Sequence, residues 1–241
     1  QKFCSSSPEF MDFSSETSKT LTIILFGRTG CGKSFLGNLI AEKKIFDVGD
    51  RMHSQTRNTT SYVTNLLNFP GIKIKIIDTP GFADNRPDMP TEKLLANLLW
   101  FLKNIEKGFH AAIYCISAKT RIDAYDIREM QLISTLFGND IFKNTLLTVT
   151  QANIFAPEDR QNIYDTFLND LPSILSDHKL FDFKPDQLLF ADADNFQAKF
   201  LKPLLKIIQE TPIYEPQISQ DLDPTDPASI TKFLSTPEMQ S

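Results

Sequence analysis

Cysteine is scarce in this chain, basic charge is in deficit, and long apolar runs are missing. The three cysteines, Cys4, Cys31 and Cys115, are odd in number and far apart. They form no disulfide framework and suit a reducing compartment. No stretch approaches the ~18 consecutive apolar residues of a membrane span, and no secretory signal is evident. Lysine and arginine total 25 against 30 acidic residues, for a net charge of −5 and a pI near 5.3. A phosphate-backbone binder carries a basic excess, so no nucleic-acid partner is expected. Internal repeats and low-complexity blocks are also missing. Core material is plentiful: 41% of the 241 residues are hydrophobic and twenty are phenylalanine. That suffices for one well-filled domain with length to spare at the ends.

The ends differ from the middle. Residues 1–10 precede Met11 and read as a vector-derived remnant, or else as a natural disordered leader, so 1–19 is set aside as a leader. Residues 211–241 hold five of the fourteen prolines and several acids, a composition that predicts a loosely ordered tail. Between them, apolar patterns alternate in type. Leu21–Phe26 is a short β-rich run ending at a glycine, the size of a buried parallel strand. A helix is predicted from Lys33 to about Lys43, then a polar loop over 47–59. Two β-type runs, 60–68 and 72–77, meet at Phe69-Pro70-Gly71 as a hairpin. Helical spacing covers 91–107, 124–136, 158–174 and 196–210, and strands fall at 111–116, 145–150 and 187–191. The expected architecture is three-layered α/β: a mostly parallel six-stranded sheet with one antiparallel edge strand and helices on both faces.

The chemistry concentrates at Gly27-Arg28-Thr29-Gly30-Cys31-Gly32-Lys33-Ser34, which fits G-x-x-x-x-G-K-[ST]. Strand before and helix after are the context this phosphate loop needs. Its glycines let backbone N–H groups turn toward phosphate oxygens, and the helix start adds partial positive charge. Arg28, Thr29, Gly30, Cys31, Gly32, Lys33, Ser34 and Phe35 are therefore the expected nucleotide contacts. Lys33 neutralises the β- and γ-phosphates, and the Ser34 hydroxyl can bind Mg²⁺. Asp78, in Asp78-Thr79-Pro80-Gly81 and 45 residues after Lys33, can hold the ion through water, while Gly81 offers its N–H to the γ-phosphate. A switch loop also needs a hydroxyl to complete the Mg²⁺ shell, and Thr56, or else Thr59, is placed for it.

With these residues in place, the chain resembles the immunity-associated GTPases (the GIMAP or IAN group, with an AIG-type G domain), relatives of the chloroplast import GTPases and, more distantly, of septins. The likeness rests on the loop followed by Leu36-Gly37-Asn38. It also rests on Lys44-Ile45-Phe46, Asp78 to Phe82, His110 to Tyr114, Leu136-Phe137-Gly138 and the strand into Thr150, and it spans about 20–210. The resemblance implies a G domain over those residues that binds GTP or GDP with Mg²⁺ and hydrolyses GTP. It further implies a homodimer through the nucleotide face and a cytoplasmic protein brought to an organelle membrane by a partner. The hydrophobic anchor of many relatives is not seen in this sequence.

Two positions depart from the pattern. The guanine reader [NT]-K-x-D corresponds to Thr150-Gln151-Ala152-Asn153, and an amide at Asn153 cannot present the two acceptors of a carboxylate. The second base contact falls on Asn195, which equally suits the N-cap of the helix starting near 196. Where small GTPases often carry a water-orienting glutamine, this chain has Phe82. Slow hydrolysis is expected, carried by Lys33, Thr56 and Gly81 and helped by Arg121, which the resemblance places in a box able to cross a dimer interface. Arg28 is the rival finger, and a solvated surface role is open to either arginine. A nucleotide-regulated protein that does not hydrolyse, and an ATP-using enzyme such as a nucleotide kinase, are the other readings. The second would need an arginine-rich lid that this sequence lacks.

Overall fold

A computed structural model describes residues 19–47, 58–81, 91–103, 108–120, 122–178, 180, 184–191, 196–216 and 222–236. Six strands form one sheet: β1 Lys19–Phe26, β2 Thr60–Asn65, β3 Ile72–Asp78, β4 Ala111–Ser117, β5 Thr145–Thr150 and β6 Leu188–Phe190. Their order is β2-β3-β1-β4-β5-β6. All neighbours run parallel except β2 with β3, the expected hairpin at one edge. β4 and β5 are buried at every position because helices cover both faces, which is why they read as unbroken apolar runs.

The helices are α1 Lys33–Ile40, α2 Thr91–Lys103, α3 Ala124–Phe137, α4 Pro157–Asp177, α5 Lys202–Glu210 and α6 Pro227–Leu234. One core layer joins α1 and α5 to Ile23, Leu25, Ile113, Cys115 and Leu146. The opposite layer joins α2, α3, α4 and α6 to Ile24, Phe26, Tyr114, Leu147 and Val149. Alternate residues of one strand thus feed opposite layers, as strand geometry requires.

α1 stops at Ile40, earlier than its periodicity suggests. Asn38 Oδ1 accepts from the N–H groups of Ile45 and Phe46, each at 2.8 Å, while Asn38 Nδ2 donates to Phe46 O at 2.9 Å. These bonds fold residues 41–46 back along the helix. A Cβ on Gly37 would stand 2.7 Å from the Phe46 ring, so only glycine lets that ring dock. The Leu36-Gly37-Asn38 signature is therefore a clamp on the helix exit. α4 is longer than expected and continues to Asp177 with Pro172 inside it.

Described parts of the tail pack against the domain. Tyr214 exchanges backbone hydrogen bonds with Phe109 at 2.9 and 3.0 Å, and its hydroxyl donates to Phe137 O. Leu222 and Ile230 are buried in the core layer that also holds α2. Asp226 caps α6 by accepting from the N–H groups of Ala228 and Ser229, with Pro227 at the first helical position. Proline there starts a helix, because its missing N–H would have no helical partner. Composition alone reads the same prolines as disorder.

Candidate functional site

The chain leaves β1 toward β3 and leaves β4 toward β5, so a crevice opens between the carboxyl ends of β1 and β4. The loop 27–32 follows β1 at this switch point. Gly27, Gly30 and Gly32 take φ values of +125°, +79° and +96°, which side-chain-bearing residues rarely adopt. Gly32 leads directly into α1, with Lys33 as the first helical residue.

Lys33 is buried, and its Nζ donates to Gly27 O at 2.5 Å and to Arg28 O at 2.8 Å, bridging the loop from within. Burial works against its charge, but Cys31, Glu129 and Asp78 together outweigh it and hold the ammonium above the ordinary lysine value. Ser34 Oγ donates to Asp78 Oδ2 at 2.7 Å, bringing together two residues 44 apart in the chain. A hydroxyl beside a buried carboxylate is the hard oxygen donor set that suits Mg²⁺. A Cβ on Gly81 would stand 2.3 Å from Thr29 N, so the backbone after β3 lies directly against the loop.

Arg28 turns its guanidinium away from the loop. Its Nη1 donates to Asp123 Oδ2 at 2.8 Å, lies 3.8 Å from Asp126 Oδ2, and its guanidinium sits 5.3 Å from the Tyr125 ring centroid. Burial works to raise the Asp123 pKa, but the N–H groups of Tyr125 and Asp126 and the Arg28 charge lower it overall. Asp123 also caps α3 and, with Asp126, forms a capping box. Beneath, Tyr114 OH bonds the Asp126 carbonyl at 3.2 Å and Glu129 Oε2 at 3.3 Å. Phe35 is exposed on α1.

On the β5 side, Thr150 Oγ1 reaches both the Cys31 carbonyl and Ile116 O. Gln151 takes a left-handed conformation, φ 61°. Its Nε2 donates to Gly30 O at 3.0 Å while its Oε1 accepts from Ser117 Oγ at 2.6 Å. Thr150 and Gln151 thus tie the phosphate loop to two strand ends, a function that sequence reasoning missed. The signal was present, since they are the first two residues of the segment that corresponds to [NT]-K-x-D. Asn153 is exposed, and its carbonyl accepts from Arg160 at 3.2 Å.

Thr59 is buried at the sheet end that carries Asp78, because β2 pairs Thr60 with Asp78. Its N–H is held by Asn97 Oδ1 of α2 at 2.7 Å. Thr56, Phe82, Arg121 and Asn195 lie outside the described residues. Among the described residues, no helix is long and apolar enough to cross a membrane.

Residues 21–210 match the AIG1 family model. Immune-associated nucleotide-binding protein 7 of Arabidopsis thaliana is 28% identical over 155 residues, covering 64% of this chain and 48% of that protein. A translocase of chloroplast 34 homolog from Chlamydomonas reinhardtii is 29% identical over 161 residues, covering 64% and 40%. The chain therefore spans less than half the length of these curated relatives. Among solved structures, Toc33 from Arabidopsis thaliana in complex with GDP and Mg²⁺ aligns with a TM-score of 0.63 at 16% identity, over 84% of this chain and 88% of that one. Aquifex aeolicus Era bound to GDP·AlF₄⁻ aligns at 0.53 and 20% identity, over 84% and 60%. At these identities the likeness is one of fold, that of the P-loop GTPases.

Proposed function

This chain belongs to the AIG1 family, and from that premise we propose that it is a GTP-binding switch or scaffold protein with slow, dimer-assisted hydrolysis of GTP to GDP and phosphate. The observation that carries the reading is the assembly of Lys33, Ser34 and Asp78 around a glycine loop at the sheet's switch point. The nucleotide is GTP or GDP. Loop N–H groups from Thr29 to Phe35 and the Lys33 ammonium would take its phosphates, and Asn153 and Asn195 would contact its base. Ser34, Asp78 and Thr56 would hold Mg²⁺, which would neutralise charge developing on the phosphates. Gly81, packed on Thr29, would sense a γ-phosphate through its N–H.

The finer reading follows from what two residues cannot do. Phe82 cannot orient a water molecule, so an isolated domain should turn over slowly. Arg28 is engaged by Asp123 and would have to leave that partner to act as a finger. Arg121, two residues before Asp123, is the better source of charge across a homodimer face. Support comes from a structural neighbour: dimerization is important for the GTPase activity of the chloroplast translocon components atToc33 and psToc159, whose fold this chain shares. The protein is cytoplasmic and reaches an organelle membrane through a partner. Phe82 also favours a second reading, in which nucleotide sets the dimer state without turnover.

Steady-state turnover with GTP, ATP and xanthosine triphosphate, together with the nucleotide found in purified protein, tests the assignment. GTP turnover with GDP carry-over is expected. Equal ATP turnover would replace it with an ATP-using enzyme, and binding without turnover would leave the second reading.

A further inference from the structure

We propose that the open edge of β2 is an interaction surface for a second copy of this chain, the two β2 strands pairing antiparallel across a two-fold axis at Val63. β2 ends the sheet, so β3 alone pairs with it. Backbone groups alternate in direction along such a strand. Leu66 N–H donates to Ile72 O at 3.1 Å, so in this register Thr60, Tyr62 and Thr64 also turn their N–H and C=O groups toward β3. Those of Ser61, Val63 and Asn65 point outward. Among the described residues these outward groups meet one partner, the Thr64 hydroxyl, which reaches Asn65 O at 3.4 Å. At the start of the strand the Thr59 N–H is taken by Asn97 Oδ1 of α2 at 2.7 Å, so the open edge is confined to 61–65.

Proteins usually blunt an edge of this kind with charge, proline or a bulge. β2 has none of these. Thr60-Ser61-Tyr62-Val63-Thr64-Asn65 carries no charge and no proline, and its register against β3 is unbroken. Val63 is 51% exposed. Tyr62 lies on the other face of the sheet, where Lys43 Nζ stands 4.8 Å from its ring centroid.

A second copy fits this edge by symmetry. The odd-numbered residues face outward, so an antiparallel pair must set odd against odd. An axis at Val63 places Val63 opposite the partner's Val63 and Ser61 opposite the partner's Asn65. Each outward N–H and C=O then meets a partner, and no other register uses the whole open edge. Opposed β-branched residues stabilise a sheet, and no like charges face one another across this pair. Lys75 lies opposite Val63 on β3 and would stand three strand spacings from its copy, about 14 Å, beyond the Debye length of physiological salt. The paired strands are short, so the association belongs to the weak, concentration-dependent class. It uses the side of the sheet and none of the phosphate-site residues, so it does not require bound nucleotide and does not rest on the function proposed above.

The test uses the full chain carrying Cys4→Ser, with GDP and without added nucleotide. Sedimentation velocity at protein concentrations up to about 1 mM should show a monomer–dimer equilibrium in both conditions. Val63→Lys sets two like charges face to face and should weaken the dimer about tenfold or more. Val63→Pro removes an outward N–H, which an edge strand tolerates, and should weaken it too. Arg121→Ala should leave it unchanged. Val63→Cys should form a disulfide-linked dimer under mild oxidation, because opposed Cα atoms of such a pair lie about 5.5 Å apart. Leu67→Cys, at a position 75% exposed but outside the register, should link far more slowly. A monomer at every concentration would overturn the proposal and leave the edge to an extended segment of another protein. Val63→Cys linking no faster than Leu67→Cys would overturn it as well. A dimer lost in Arg121→Ala but kept in Val63→Lys would assign the association to the nucleotide face instead.

Discussion

Arg28 Nη1 donates to Asp123 Oδ2 at 2.8 Å, so the second residue of the phosphate loop is held by the N-cap of α3. The loop is thereby tied to the segment just after Arg121. Any shift of α3 would reach the loop through this pair.

The two partners should differ in what their loss costs. Asp123→Ala removes a helix cap as well as a charge, and should cost about 1–2 kcal/mol. Arg28→Ala leaves the cap in place and breaks a partly exposed ion pair, so it should cost less than about 1 kcal/mol. Urea denaturation of both single variants and the double variant measures this. An Asp123→Ala cost no greater than that of Arg28→Ala would show that the cap adds nothing beyond the ion pair.

Lys33→Ala should lower affinity for GTP and GDP by about tenfold or more, since a charged hydrogen bond contributes roughly 1.5–3 kcal/mol. Ser34→Asn should weaken the triphosphate complex more than the diphosphate complex, and only when Mg²⁺ is present. Titration of a fluorescent analogue with and without EDTA separates the two. Unchanged affinity in Lys33→Ala would falsify the phosphate-site assignment.

Base choice should be loose. Asn153 offers one acceptor where a carboxylate offers two, so the preference for GTP over ATP should be modest. Asn153→Asp should sharpen it. Competition titrations with ATP in both proteins decide the matter, and an unaltered ratio would shift the base contact to another residue.

Dimerisation should be stronger with a GTP analogue than with GDP, because a γ-phosphate adds contacts to the switch segments. Specific GTPase activity should then rise with protein concentration, and Arg121→Ala should remove the rise while sparing nucleotide affinity. Light scattering and turnover across a wide concentration range are the measurements. A flat specific activity with a monomer in every nucleotide state would rule out the dimer mechanism.

His110 accepts the Thr22 N–H at 3.0 Å through Nδ1, which requires an unprotonated nitrogen there. Burial, and then the Lys19 charge, hold its pKa below the ordinary 6.5. The unfolded chain therefore binds more protons than the folded one as pH falls through that range. The contribution is complete above the unfolded pKa and is lost as pH falls through the folded one. Denaturation midpoints at pH 7.5 and 5.5 should fall further for the native protein than for His110→Asn, whose amide oxygen can still accept.

What local pattern encodes, the amino-acid sequence determined by itself. Glycine spacing with Lys33 and Ser34, apolar runs sized for buried strands and the Phe69-Pro70-Gly71 turn depend on near neighbours, and they specified the phosphate loop, the alternating α/β order and the antiparallel edge. Folding alone decided which distant groups meet. Arg28 and Asp123 lie 95 positions apart, Gln151 and Gly30 lie 121 apart, and no periodicity signals either pair. The tail shows the same limit. Its prolines and acids resemble those of a disordered segment, yet Tyr214, Leu222 and Ile230 are buried because the opposite core layer offers apolar surface for them to cover. Composition reports how much a segment can bury, and only the assembled sheet and helices supply the surface against which it does so.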